Sequence, residues 1–380
     1  MKDKRIVRDS ADRKASDASP AVPRRKRVAF VLPSFVGGGA ERVCLTFAGA
    51  LERGRFDATI IVIDGRGELG YIVPAHVAVH NLGRRRVRHA LWPLFQTLRR
   101  VRADVIVPTL GYLNLAVLAL RFLLPRSTRV LPREANLPTQ SIDAFAVPEL
   151  ARLAYRRLYA HADGVICNSQ AVADELKTLC GVPPARIHRI DNPIDVGAIR
   201  AAATEPAREP GEGPRFITSG RLTHQKGFDR LLELFAAAQP DARLTVLGEG
   251  PDRESLTARA ARLGLGDRVR FTGFKASPWA DYAGADAFLL PSRWEGMPNA
   301  ALEALACGTP VIAVPEAGGI GEVAAEAGPS AIRIAAWGDD FLVSMRAVRP
   351  ASPHHVRPSL LPRRYHLEET TAKLAALLDG

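Results

Sequence analysis

"DAFLLPSRWEGMPNAALEALACGTPVIAVP", residues Asp286–Pro315, contains one full unit of strand, loop, helix and strand. Its opening apolar run, closed by Pro291 and Ser292, has the character of a strand buried on both faces. Arg293 to Asn299 reads as the loop over the carboxyl end of that strand. Pro298 fits the first helical turn, where a missing N–H costs nothing. The helix then runs through "AALEALACG" to a glycine stop at Gly308, and "PVIAVP" supplies the next strand. Two carboxylates, Glu295 and Glu303, stand on either side of the helix start.

The same alternation extends in both directions. In the second half "RFITSG", "ARLTVLG" and "VRFTGF" read as further strands, separated by "FDRLLELFAAAQ" and "PDRESLTARAARLG". In the first half "RVAFVL", "ATIIVI", "DVIVP", "TRVLP" and "GVICN" repeat the pattern, with "AERVCLTFAGALERG" and "PELARLAYRRLYAHA" at helical spacing. This alternation predicts an α/β chain of two Rossmann-like, doubly wound domains. The expected boundaries are a tail of disordered composition over 1–23, a first domain over 24–198, and a linker over 199–214 that is rich in Ala, Pro, Glu and Gly. A second domain over 215–360 and a final helix over 361–380, packing back on the first domain, complete the chain.

At 380 residues, 47% hydrophobic and 24% charged, the chain has the composition of a soluble globular protein too long for one core. Four scattered cysteines without a CxxC pair suggest buried thiols, and the charged N-terminus reads as no export signal. The net charge of +12 is unevenly placed. Residues 1–200 hold 32 Lys and Arg against 18 Asp and Glu, and the remainder 20 against 22. The first half therefore suits an anionic partner such as a membrane face or a lipid pyrophosphate. "GRRRVRHALWPLFQTLRRVR" (Gly83–Arg102) sets Trp92, Phe95 and Leu98 among arginines, which fits either an in-plane membrane contact or an ordinary packed helix. "LGYLNLAVLALRFLLP" (Leu110–Pro125) is too short to span a bilayer and is interrupted by Arg121, so it reads as a buried or interfacial helix. The low aromatic content and the lack of a nucleic-acid motif argue against RNA or DNA as partner.

Chemistry concentrates at strand ends. Arg221 and Lys226 follow "RFITSG", and an open α/β sheet binds ligands at the carboxyl ends of its strands. An Arg fork beside a Lys point charge suits a diphosphate. Opposite them, the first amides of the helix after Pro298 offer a second phosphate site. Were residues 295–303 wholly helical, the two glutamates would lie about 12 Å apart along the axis. That is beyond the roughly 5–9.5 Å of a glycosidase carboxylate pair. It is compatible with two hydroxyl-binding carboxylates flanking a diphosphate.

"GRLTHQKGFDRLL", "GEGPDRESL", "VRFTGF", "LLPSRWEGMPNAALEALACGTPVIA" and "GGIGEV" together resemble the family-4 retaining glycosyltransferases of the GT-B fold. "FVLPSFVGGGAERV", "ADGVICNSQAVADELK" and "DNPID" in the first half are similar to the same family. The resemblance implies two Rossmann-like domains facing a cleft and a nucleotide-sugar donor, with a glycan or polyprenyl-diphosphate-linked acceptor. It further implies that Arg221 and Lys226 hold the donor diphosphate and that Glu303 binds the ribose. Glu295 would contact the transferred sugar, with Gly296, Met297, Pro298 and Asn299 around it, and Gly38 and Gly39 would bring amides to the phosphate. No cofactor is implied, and the lack of a suitably placed DxD predicts independence from metal. The thiol reading and the lack of an export signal suggest the cytoplasm, and the basic first half suggests the inner face of the plasma membrane.

Two departures stand out. Where many members carry a His near the sugar, this chain has "LPREANLP", so Arg133, Glu134 and Asn136 become the acceptor-side candidates. After Val323 the expected Gly-Leu-Leu-Val run is missing, and the adjacent His354 and His355 sit in a proline-rich stretch that reads as an irregular crossing. Rival readings are a GT-B sugar-nucleotide epimerase and a non-enzymatic basic binding protein. A dinucleotide oxidoreductase fits poorly, because "GGGAER" lacks the third glycine of GxGxxG.

Overall fold

The computed structural model describes residues 24–36, 38–203, 213–350 and 356–380. The tail over 1–23, Gly37, most of the linker and the His354–His355 pair lie outside those residues. The first domain is built on β1 (Lys26–Ser34), β2 (Phe56–Asp64), β3 (Ala78–Asn81), β4 (Val105–Pro108) and β5 (Arg129–Val130). All are parallel, in the order β3-β2-β1-β4-β5. Three short strands, β6 (Arg133–Glu134), β7 (Val165–Cys167) and β8 (Ile187–Arg189), form a second parallel sheet, joined to the first by a bridge between Thr109 and Arg133. Along β1, Val28, Phe30 and Leu32 enter one core cluster while Ala29 and Val31 enter another. Cover on both faces explains the unbroken apolar run.

The second domain contains β9 (Arg215–Ser219), β10 (Arg243–Leu247), β11 (Val269–Gly273), β12 (Ala287–Leu290), β13 (Val311–Ala313) and β14 (Ile332–Ile334). Their order is β11-β10-β9-β12-β13-β14. The strand order reverses between β9 and β12, and the crevice at such a switch point is where doubly wound sheets take their ligands. The loop carrying Arg221 and Lys226 follows β9, and the loop carrying Glu295 follows β12. Topology alone thus brings the two candidate segments together.

The last helix, Leu367–Asp379, returns to the first domain as expected, burying Leu374, Ala375 and Leu378 in the cluster beneath β1. Its terminal carbonyls accept from Lys26 Nζ at 2.8 and 2.7 Å and from Arg129 Nη1 at 3.1 and 3.2 Å. Cations are favoured at that pole of a helix. The two chain passages between domains run side by side: Ile194 N donates to Tyr365 O at 2.9 Å, and Leu367 N to Ile194 O at 3.0 Å.

Several local readings need correction. Residues 199–202, expected as linker, belong to the helix Val196–Ala202, because Ile199 is buried in the second-domain core. Of the three apolar residues picked out in Gly83–Arg102, Phe95 and Leu98 are buried in the helix Val87–Val101 and only Trp92 stays outside. The Leu110–Pro125 stretch is a largely buried helix, Gly111–Leu120. Among the described residues no helix is long and apolar enough to cross a membrane. The departure after Val323 folds as regular structure: the helix Ile320–Ala327, β14, and the helix Asp339–Arg346.

Candidate active site

The loops after β9 and β12 are bolted into one unit. Arg293 grips both carboxylate oxygens of Asp229 at 2.8 Å and donates to His224 O at 2.7 Å. Its guanidinium holds the Asp229 carboxyl below the usual carboxylate range. Arg293 N donates to Gln225 O at 2.8 Å, and Gln225 Nε2 to Trp294 O at 3.0 Å. Gly227, with φ of 68°, lets the loop press against β12; a Cβ there would sit 2.1 Å from Pro291 O.

This clamp delivers Lys226 Nζ to Glu295 Oε1 at 2.5 Å, and Ser292 Oγ donates to the same oxygen at 2.8 Å. Glu295 is buried and Lys226 half-buried. Arg221 is exposed at the rim; burial raises the pKa of Glu41 and of Tyr112 in the first domain, and the charge of Arg221 opposes that rise. Arg221 therefore faces across the cleft.

The helix Asn299–Ala306 begins one residue later than expected. Pro298 is its N-cap, whose carbonyl accepts from Ala301 N at 3.0 Å and Leu302 N at 3.2 Å. Its first amides have no partner within the helix. Glu295 therefore belongs to the loop and Glu303 to the helix, and the two carboxylates are positioned by different segments. Glu303 is buried and accepts from Trp279 Nε1 at 3.1 Å. Burial raises its pKa, opposed by the charge of Arg42 and by the Trp279 bond. Met297 is buried in the second-domain core, and Gly319 N donates to Gly296 O at 2.9 Å. A Cβ on Gly318 would lie 2.1 Å from Glu295 O, so the "GGIGEV" glycines leave room for the Glu295 loop.

Gly38 and Gly39 start the helix Gly39–Ala50 at the end of β1. Gly39 O accepts from Asn299 Nδ2 at 3.0 Å, Asn299 Oδ1 accepts from Asn192 Nδ2 at 2.5 Å, and Asn192 Oδ1 accepts from Arg133 Nη2 at 2.6 Å. A continuous polar chain thus runs from β6, through the interdomain crossover and the second-domain helix, to the glycine loop. Beside it, Gly296 meets the loop after β6 so closely that a Cβ would sit 2.2 Å from Ala135 O and 3.1 Å from Asn136 Cα. On another side of the cleft, Arg42 Nη2 and Tyr71 Oη both donate to Ala276 O, at 3.4 and 3.1 Å.

The structure brings Lys226, Glu295, Gly296, Asn299 and Gly39 to one cleft, with Asn136 at its wall and Arg133 beneath it. It does not bring Glu134 there. Side chains alternate along a strand, so Glu134 turns into the first-domain core, where it accepts from Asn114 Nδ2 at 2.9 Å and from the Tyr159 hydroxyl. Burial pushes its carboxyl up to about 7. A folded-state pKa above the unfolded value makes this group's contribution fully present at low pH, and that contribution is lost as pH rises through about 7. Glu134→Gln is therefore expected to melt higher relative to wild type at pH 8 than at pH 5, as thermal unfolding at the two pH values would read. Sequence reasoning missed Arg42, Ser292, Trp279 and Asn192. Of these only Trp279 carried no signal, since Arg42, Ser292 and Asn192 lie inside the motifs "GGGAERV", "LLPSRWEGMP" and "DNPID".

Two family models tile this architecture. Glycosyltransferase Family 4 matches residues 37–197, and Glycosyl transferases group 1 matches residues 200–333. The chain belongs to the family-4 GT-B glycosyltransferases. A lipopolysaccharide core biosynthesis glycosyltransferase of Rhizobium meliloti is 28% identical over 72% of this glycosyltransferase and 75% of its own length. The D-inositol 3-phosphate glycosyltransferase of Segniliparus rotundus is 34% identical over 53% of this chain, and the Escherichia coli lipopolysaccharide 1,6-galactosyltransferase is 33% identical over 40%. The matches span only 47% and 44% of those two relatives. Among solved structures, Anabaena HepE with UDP and glucose superposes with a TM-score of 0.73 at 19% identity, covering 93% of this chain and 100% of that one. Sucrose-phosphate synthase from Thermosynechococcus elongatus gives 0.74 at 17% identity, covering 93% and 98%. Both share the two-domain fold.

Proposed function

We propose that this glycosyltransferase moves a hexose or N-acetylhexosamine, with retention of anomeric configuration, from a UDP-sugar to a glycan or polyprenyl-diphosphate-linked saccharide. The observation that carries the reading is the Lys226–Glu295 pair at the switch point, set beside Arg221 and the start of the helix Asn299–Ala306. In this reading Lys226, Arg221 and the helix amides hold the diphosphate, Glu295 contacts the sugar, and Glu303 takes the ribose hydroxyls. In the step itself the bond from the anomeric carbon to the phosphate oxygen breaks and its electron pair passes to the diphosphate. Arg221 and Lys226 stabilise that developing charge. The acceptor oxygen bonds to the same face of the anomeric carbon, and its proton goes to the leaving phosphate oxygen. No metal takes part, and undiminished transfer in EDTA is the expected result. Asn136 remains the acceptor-side group, while Arg133, buried beneath the cleft, acts through its bond to Asn192.

Relatives support the substrate classes. The R. meliloti and E. coli proteins are described by lipopolysaccharide synthesis, and a Campylobacter jejuni relative, 30% identical over 44% of this chain, acts on a diphospho-undecaprenol saccharide. HepE was solved with UDP and with UDP-glucose. The product would enter cell-surface polysaccharide or glycolipid, made at the cytoplasmic face. A thermal-shift panel of UDP, GDP and their sugars, followed by mass detection of transfer from those that stabilise, tests the reading. Glu303→Ala is expected to weaken UDP binding about 10- to 100-fold, the worth of hydrogen bonds to a charged acceptor. If neither UDP nor GDP raises the melting temperature of the wild type, the donor assignment fails.

A further inference from the structure

One face of the first domain combines basic charge with apolar side chains that folding leaves outside. The helices Val87–Val101, Gly111–Leu120 and Pro148–Tyr159 lie side by side, the middle one touching both others, and all three bury a stripe in the same core cluster. Folding thus accounts for their inner sides. On the outer side, Trp92 of the first helix is 64% exposed, and Leu150 and Leu153 of the third are 64% and 50% exposed. Phe122 and Leu123, at the end of the middle helix, are 61% and 62% exposed. Leu150, Leu153 and Arg157 follow one helical stripe, opposite the buried Ala151, Tyr155 and Tyr159. Nothing in the fold requires leucine there. By contrast, the described residues of the second domain expose only Ile334 and Val343 among large hydrophobics.

Arginines frame these anchors: Arg88 and Arg99 on the first helix, Arg156 and Arg157 on the third, all exposed. This composition selects the partner. A second copy of this face would present the same positive charge to its twin. An anionic bilayer meets both features, because apolar anchors enter the headgroup boundary while arginines meet lipid phosphates.

We propose that the outer face of these three helices is a membrane-docking surface for anionic lipid. The proposal rests on the lipid-linked acceptor of the preceding section, which it deepens by naming the surface that delivers it. The test is flotation of the full chain with vesicles of phosphatidylglycerol and phosphatidylcholine in equal parts, against phosphatidylcholine alone. Wild type is expected to float with the mixed vesicles, to be released by high salt, and to stay behind with phosphatidylcholine. L150S/L153S should float about tenfold less or weaker still, the effect of removing two partly inserted leucines, and R156E/R157E should lose binding at low salt. The L150S/L153S melting temperature should match wild type, since neither side chain packs in the core. Equal flotation of L150S/L153S and wild type would overturn the proposal. So would wild type that ignores anionic lipid, or that sediments as a dimer which L150S/L153S dissolves. Transfer to a water-soluble acceptor saccharide separates the two readings. L150S/L153S should retain it fully, whereas a wild type that floats but transfers to no acceptor indicts the catalytic reading and leaves the surface standing.

Discussion

Glu295→Ala lowers turnover about 10²–10³-fold, the scale expected when one preorganised electrostatic contact to the reacting centre is lost, and leaves UDP affinity close to wild type. The division follows from position. Glu295 belongs to the loop after β12 and is tied to Lys226 at 2.5 Å and to Ser292 at 2.8 Å, whereas Glu303 sits in the helix on the Trp279 side. Removing the Glu295 carboxylate frees Lys226 to leave its place and deprives the buried Ser292 hydroxyl of its acceptor. Released from the pair, the Lys226 ammonium is still within reach of the diphosphate, and Glu303, Arg221 and the helix start are untouched, so nucleotide binding is kept. Glu295→Gln keeps the shape and an acceptor for Ser292 but loses the ion pair, so it measures the share due to charge. Because Lys226 and Glu295 act as a unit, the double variant K226A/E295A should cost little more than the worse single one. The measurement is kcat and UDP dissociation constant side by side. An E295A protein that binds UDP as poorly as E303A, with unchanged turnover, would sink the assignment of the sugar end to Glu295.

How much of this was legible beforehand depended on what each inference required. The strands flanking the site were readable because burial on both faces leaves an unbroken apolar run, as in "AFLL" of β12. The pairing of the Lys226 and Glu295 loops was readable because strand order places both at one crevice. The orientation of Arg133 and Glu134 was not. They are adjacent, and a shift of one residue in a strand exchanges the faces, so only the register of β6 against β7 decides that Arg133 reaches Asn192 while Glu134 enters the core. The same holds for Phe95 and Leu98, whose apolar character fits a lipid face and a core equally until the packing of their helix against the sheet is seen. Trp279 was invisible because its carboxylate partner lies on a different helix, and Arg42, though inside a motif, was missed because it acts from the other domain.

Gly296→Ala is expected to abolish most transfer while leaving the fold intact. A Cβ at this position would lie 2.2 Å from Ala135 O, 2.9 Å from Ala135 C and 3.1 Å from Asn136 Cα. All three atoms are backbone, so no rotamer relieves the clash. Either the loop after β6 or the loop carrying Glu295 must retreat, and the contact between them joins the two domains. Separation is the easier response, since the chain passages at Ile194 and Tyr365–Leu367 are the only backbone pairing that spans the junction among the described residues. Moving apart would also stretch the Asn192–Asn299–Gly39 chain, which fixes the glycine loop against the helix start. A misplacement of about 1 Å at a reacting centre costs on the order of 10²-fold in rate. The second domain keeps its own core and its hold on the nucleotide, so melting temperature and UDP affinity should stay near wild type while kcat falls by about that factor. Gly321→Ala is the matched control, because a Cβ there meets nothing within 4 Å and its helix tolerates alanine. If G296A turns over as fast as G321A, the contact between the Ala135–Asn136 loop and Gly296 is not part of the working cleft, and the domains must act farther apart than they stand here.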